Sequence, residues 1–134
     1  MAFSEELSAI ASRCRNYIRT GKISLYSETL KEMAELFRRN NCIEDCLKML
    51  VISFYIDLSG FSRAPYIDHA SADVIYRVIA ADEISVQELE RIYFEVVQPD
   101  MISKHALSVN DSWYLLRLCT EGKVEQAEYV LSKI

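Results

Sequence analysis

An all-α fold, a compact bundle of seven or eight helices built from antiparallel hairpins, is predicted by three observations. The 134 residues contain only three Gly and two Pro, so helix breakers are scarce, and Leu, Ile, Ala, Glu and Ser dominate. Apolar residues recur at three- and four-residue spacing in segment after segment, which is the period of an amphipathic helix. One stretch, residues 41–60, is apolar almost all round: from Cys46 to Ile56 only Lys48 and Ser53 are polar. A helix without a polar face is a buried helix. This one is too short to span a bilayer, which takes about 20 apolar residues. It is the expected centre of the bundle. Asn41 and Glu44 stand three apart, as a capping box requires, and Asp57, Ser59 and Gly60 mark its end.

The length fits a single domain over residues 1–134, large enough to bury a core without disulfides or metals. The net charge of −5 favours solubility and argues against a general nucleic-acid surface. The N-terminus lacks the basic-then-apolar form of a signal peptide. The expectation is an intracellular, cytoplasmic protein whose cysteines, at 14, 42, 46 and 119, are reduced thiols.

The elements follow in order. Residues 4–20 form the first helix, capped by Ser4, with Glu5 and Glu6 at the positive end of its dipole and Gly21 at its left-handed stop. Leu7, Ile10, Ala11, Cys14, Tyr17 and Ile18 make its apolar stripe. Residues 27–39 form the second, with Ile23 and Tyr26 leading in. Leu30, Met33, Ala34 and Phe37 face inward; Lys31, Glu32, Glu35, Arg38 and Arg39 face out, with Glu35 and Arg39 as an i,i+4 pair. Asn40-Asn41 makes a short turn, so the second and third helices pair antiparallel. After Gly60 comes the longest irregular stretch, carrying Phe61, Arg63 and Tyr66. The fourth helix starts at Asp68 or Ser71 and ends near Ala81. The fifth opens on a capping box, Ser85 with Glu88, flanked by Ile84 and Leu89 at the hydrophobic-staple positions, and Pro99 ends it. Residues 100–107 hold one short helix or a pair of turns. A further helix starts near Asn110, with Ser108 and Asp111 placed to cap, and breaks at Gly122. The last runs to the end with Val124, Ala127, Leu131 and Ile134 inward. Ile134 either packs into the body or the chain continues past it.

Two stretches echo one another. Asn41, Ile43 and Cys46 are matched later by Gly122, Val124 and Ala127: a turn residue, a branched apolar residue, then a small one that lets two helices approach. This resembles the second helix of a tetratricopeptide repeat. The copies lie much further apart than the family's period of about 34 residues, and the first-helix Trp-Leu-Gly pattern is absent, so the resemblance is to its helical hairpin rather than to a tandem array. The order of two charged amphipathic helices, then the apolar helix ending Asp57-Leu58-Ser59-Gly60, an irregular loop and the helices through Tyr93 is similar to helical regions of uncharacterised bacterial and phage proteins. Some of those carry a small SAP-type DNA-binding motif. That motif, a short basic helix–turn–helix, has no counterpart here, so DNA binding is not carried over.

Constellations with chemical potential are few. Cys42 and Cys46 lie one turn apart and, with His69 or His105, suggest zinc only on paper; cysteines on an apolar helix behave as small hydrophobes. Asp68, His69, Asp73 and Ser71 are too loosely spaced for a triad, and an Asp cap followed by an exposed His accounts for them. Asp57, Asp68 and Asp73 could gather round a hard cation, although nothing in their spacing demands it. There is no phosphate loop, His-Glu-x-x-His or EF-hand pattern. No cofactor or metal is expected. The candidate partner-binding residues are Phe61, Arg63 and Tyr66 in the loop, and Arg13, Arg15 and Arg19, which with Lys22 form a basic cluster on the first helix. A solvated face is the favoured reading of that cluster, with an acidic or phosphate contact as the alternative.

The expected function is therefore a non-enzymatic module that binds another protein or itself. The alternatives are a nucleic-acid-linked accessory factor using the basic cluster, and a small-molecule-binding domain with the 60–73 loop over a pocket. A large outward apolar residue among Tyr17, Phe94, Val97 and Tyr129 would mark the contact face.

Overall fold

The computed structural model describes residues 2–62, 64–98 and 107–134. Seven helices are found among them: α1 (Phe3–Arg19), α2 (Ile23–Arg39), α3 (Ile43–Leu58), α4 (His69–Ala80), α5 (Val86–Val96), α6 (Val109–Thr120) and α7 (Val124–Leu131). No strand occurs among the described residues. The short element expected over 100–107 and the Pro99 stop lie outside them, apart from Leu107, which is not helical.

The apolar helix is central, as its composition demands. α3 packs on α2 along one side and on α4 and α5 along others. Leu47, Val51, Phe54, Ile56 and Leu58 are fully buried. The core falls into two clusters that meet on α3. One joins Cys14, Leu30, Met33 and Ile56 between α1, α2 and α3. The larger joins α3 to α4, α5, α6 and α7 through Leu50, Phe54, Ile75, Leu89, Ile92, Leu115 and Ala127, among others. Tyr55 reaches across to donate its hydroxyl to the Leu107 carbonyl.

Five helix ends, those of α1, α2, α3, α4 and α6, close in the same way. A left-handed residue (Gly21, Asn41, Gly60, Asp82 or Gly122) follows the last turn. The N–H after it reaches back five residues along the chain, as Lys22 does to Tyr17, Cys42 to Phe37 and Lys123 to Leu118. Asn41 is thus the stop of α2 and not the cap of α3. The residue at that N-terminus is Cys42, whose side chain makes no cap bond. Likewise Ala2, not Ser4, precedes α1. The stops at Gly21 and Gly122 fall where expected, and Gly122 also lies close under the Tyr76 ring, 3.4 Å from where a Cβ would stand. The caps that do hold are Ser85 on the Glu88 N–H, Ser108 on the Asp111 N–H and Asp68 on the Ser71 N–H. Ile84 and Leu89 are both buried beside the Ser85 cap.

The largest correction concerns α2, which begins at Ile23 rather than Ser27. It lies between α1 and α3 and is covered on two sides, so Ser27, Thr29 and Leu36 are buried along with the expected Leu30, Met33 and Ala34. Glu35 pairs with Arg38 instead of Arg39, through a forked contact whose shortest leg is 2.7 Å. α7 stops at Leu131, short of the predicted end, and Ile134 is exposed.

Candidate functional site

Two polar side chains face each other in the buried seam between α2 and α3. Ser27 on α2 and Ser53 on α3 are wholly buried, and their hydroxyls meet at 2.9 Å. One turn further along each helix stands a charge. Lys31 follows Ser27 by four residues, and Asp57 follows Ser53 by four. Residues four apart share a helix face, so both charges lie along the seam; the helices run antiparallel, so these steps lead in opposite directions, and the long Lys31 stem spans the gap to place its Nζ 2.7 Å from Asp57 Oδ2. A second carboxylate closes on the same ammonium, with Asp68 Oδ2 at 3.0 Å.

Asp57 is 1% exposed and is saturated with donors. Besides Lys31 it accepts from Ser27 Oγ at 3.0 Å, Ser62 Oγ at 2.7 Å and Tyr66 Oη at 3.2 Å. Ser24 of α2 donates to the Phe61 and Ser62 carbonyls. Asp68 accepts from the backbone and the hydroxyl of Ser71 while capping α4. The irregular segment after Gly60 is therefore a roof, tied down by side chains that converge on one buried carboxylate. Phe61 anchors it further by packing on the α1–α3 cluster.

Burial works against the charge on Lys31, yet the hydrogen bonds and attraction from Asp57 and Asp68 outweigh it and hold its pKa above the ordinary lysine value. Burial would likewise raise Asp68, but the bonds from Ser71 and Lys31 and the lysine's charge hold its carboxyl below the usual range. Both groups are locked in their charged forms. The thiols are locked the other way: burial pushes Cys46 up to about 11, Cys119 up to about 12, and raises Cys14. A lysine nucleophile needs a lowered pKa and a cysteine nucleophile needs a thiolate. The interior chemistry tunes these groups away from reactivity.

Beside the roof lies a cleft of about 520 Å³. Pro65, Tyr66 and Ile67 form one wall and Leu131 and Ser132 of the α7 end form the other. Its lining is mainly apolar. His69 and Glu128 bridge the two sides through the His69 Nε2 and Glu128 Oε1 atoms. Both side chains are well exposed, at 64% and 44%.

Of the residues singled out from sequence, Tyr66 alone touches both features, lining the cleft and holding Asp57. Phe61 serves the roof. Arg63 lies outside the described residues. Arg13, Arg15 and Arg19 line a separate polar depression along α1. There Arg13 is bound to Glu32 at 2.9 Å and Arg19 donates to Asn16, while no carboxylate pairs with Arg15 among the described residues. Asp57 and Asp68 do gather, but around Lys31 rather than a metal, and Asp73 faces out to Arg77. Among the described residues no group of three His, Cys, Asp or Glu side chains is placed to hold a metal ion. Asp68 caps and His69 is exposed, as expected. Of the outward apolar candidates, Phe94 and Tyr129 are exposed and Val97 is buried.

Sequence reasoning places Lys31 on the outer face, reads Asp57 as a helix stop or cation ligand and Ser27 as a helix start, and assigns no role to Ser53 or Glu128. A signal for the ion cluster was present. A Ser followed four residues later by a charge occurs on both helices of the α2–α3 hairpin, on α3 within an apolar run.

Among the described residues no helix is long and apolar enough to cross a membrane. Comparison with protein-family models, with curated proteins and with solved structures finds no match to this chain.

Proposed function

We propose that this chain is a non-enzymatic helical module that binds a protein partner in the cleft between the 64–67 segment and α7. One observation carries the reading: the cleft is open and largely apolar, while the charged cluster behind its Tyr66 wall is saturated by its own partners. Such a surface offers apolar area and shape, which is what a docking segment uses. The lock on Lys31, Asp68 and the buried thiols supports a binding role over a catalytic one, since catalysis at neutral pH needs groups poised near it. Four free cysteines fit a reducing, cytoplasmic setting. Arg13 and Arg19 already have partners on their own chain, which weakens the nucleic-acid reading.

Selection of displayed random peptides against the protein tests this. Peptides are expected to be enriched on the wild type and lost on Ser132→Trp, which fills the cleft from an exposed position. Equal enrichment on both proteins refutes the reading.

A second reading, self-association, rests on a different face. Phe94 of α5 is 43% exposed and stacks edge-on against Trp113 of α6 at 6.2 Å, with buried Tyr93 behind both. Aromatic residues of this kind are enriched at protein interfaces. Light scattering at low and high salt decides it. A dimer at both salts that Phe94→Ser dissociates supports self-association, and a monomer throughout refutes it.

A further inference from the structure

We propose that the cleft recognises an arginine side chain of the partner, with Glu128 as its counter-charge; this rests on the cleft being the interaction surface. The walls suit the stem of such a residue. Pro65, Ile67 and Leu131 present carbon to the methylenes, which long basic side chains bury while keeping the charged head in contact with polar groups. Glu128 stands where the head would arrive. Its ion partner among the described residues is the exposed ring of His69. An imidazole offers Glu128 one ring N–H, whereas a guanidinium offers a permanent charge and a planar fork of donors matched to both carboxylate oxygens.

Two neighbouring features favour the same cation. α7 ends at the cleft, with Ser132 as its C-cap, so the negative end of its dipole lies beside Glu128. Tyr66 supplies a flat ring surface for a guanidinium plane to stack on. A lysine ammonium, compact and strongly hydrated, would not use the fork. The chain's own nearby lysines are committed elsewhere: Lys31 between Asp57 and Asp68, and Lys133 over the Tyr129 ring at 5.3 Å. Glu128 thus combines an exposed carboxylate with a partner that a stronger donor can displace.

The test is an NMR titration of the isotope-labelled full chain with N-acetyl-arginine methylamide. Shifts are expected at His69, Glu128 and Leu131, with a dissociation constant on the order of a millimolar, the range open to so small a ligand. Glu128→Gln is expected to weaken binding by about tenfold, as loss of a charged hydrogen-bond partner does. His69→Ala is expected to keep it or tighten it by up to about fivefold, because an exposed competing pair is removed. N-acetyl-citrulline methylamide, of the same shape but uncharged, is expected to leave the spectrum unchanged. Equal binding of the citrulline compound, unaltered affinity in Glu128→Gln, or loss of binding in His69→Ala overturns the proposal. Should the arginine compound fail while selected peptides still distinguish the wild type from Ser132→Trp, the arginine assignment falls and the interaction reading stands. Failure of both removes both.

Discussion

Replacing Lys31 with Met is the most informative perturbation of the fold. Methionine keeps the length and apolar bulk of the stem and deletes the charge. Two carboxylates, Asp57 at 1% and Asp68 at 7% exposure, then face each other without a cation. Removing one partner of a buried ion pair costs about 3–5 kcal/mol. The lower end applies here for two structural reasons. The Lys31 side chain is 33% exposed, so water reaches the vacated position. Asp57 also keeps its Ser27, Ser62 and Tyr66 donors, and Asp68 keeps Ser71. A loss of about 3 kcal/mol is expected, which lowers the melting temperature by roughly 10 °C in a chain of this size. Urea unfolding followed by circular dichroism measures it, with the m-value unchanged. The triple variant Lys31→Met, Asp57→Asn, Asp68→Asn, free of net buried charge, is expected to recover at least half of the loss. A loss under about 1 kcal/mol, the level of an exposed pair, or a triple variant less stable than the single one refutes the account of the cluster.

Three further outcomes follow from the same structure. Asp68 has a depressed folded pKa, so its contribution is present above the unfolded value of about 3.9 and lost as pH falls through the lower folded value; Lys31 is raised, so its contribution is present below about 10.4 and lost as pH climbs past the higher folded value. Stability against urea should fall at both extremes, and Asp68→Asn should flatten the acid limb; an unchanged acid limb in that variant contradicts the assignment. Gly122→Ala, at a φ of 77° and under the Tyr76 ring, should cost about 1–2 kcal/mol in the same assay, and a neutral effect would mean the turn relaxes freely. Ellman's reagent should titrate Cys42 rapidly and the buried Cys14, Cys46 and Cys119 only on unfolding; four fast thiols in the native protein would contradict the packing.

What the sequence made legible was whatever depends on periodicity and turn chemistry. The buried α3, the Ser85 cap and the Gly21 and Gly122 stops all rest on local rules, and all agree with the structure. Asn41 was misread because Asn serves both as an N-cap and as a left-handed stop, and only the backbone at φ 60° decides between them. The start of α2 was misread for a related reason. Serine is a common cap, so Ser27 suggested a boundary, whereas its hydroxyl is spent on Ser53 and Asp57 in the interior. Lys31 illustrates the deeper limit. A lysine among Glu and Arg residues reads as solvent-facing, and its inward course depends on carboxylates 26 and 37 positions later in the chain. Long-range polar pairing leaves little mark on composition. The cleft was anticipated only as a loop over a pocket, and Glu128, supplied by the last helix, was not anticipated at all.

The repeated left-handed stop has a consequence for where this chain tolerates change in length. At the α1–α2, α2–α3 and α6–α7 corners the stop residue and the N–H behind it are already engaged, and the next helix begins at once. An inserted residue there would rotate the following helix by about 100°, turning its apolar stripe away from the core. Between α3 and α4 the connection is longer, and a further stretch separates the Gly60 stop from the start of the next helix. Length variants that still fold should therefore be found more readily in that connection than at the three tight corners, and it forms a wall of the cleft. A connection open to remodelling is thus also a wall of the proposed docking cleft, so recognition there could diversify while the helical frame keeps its register.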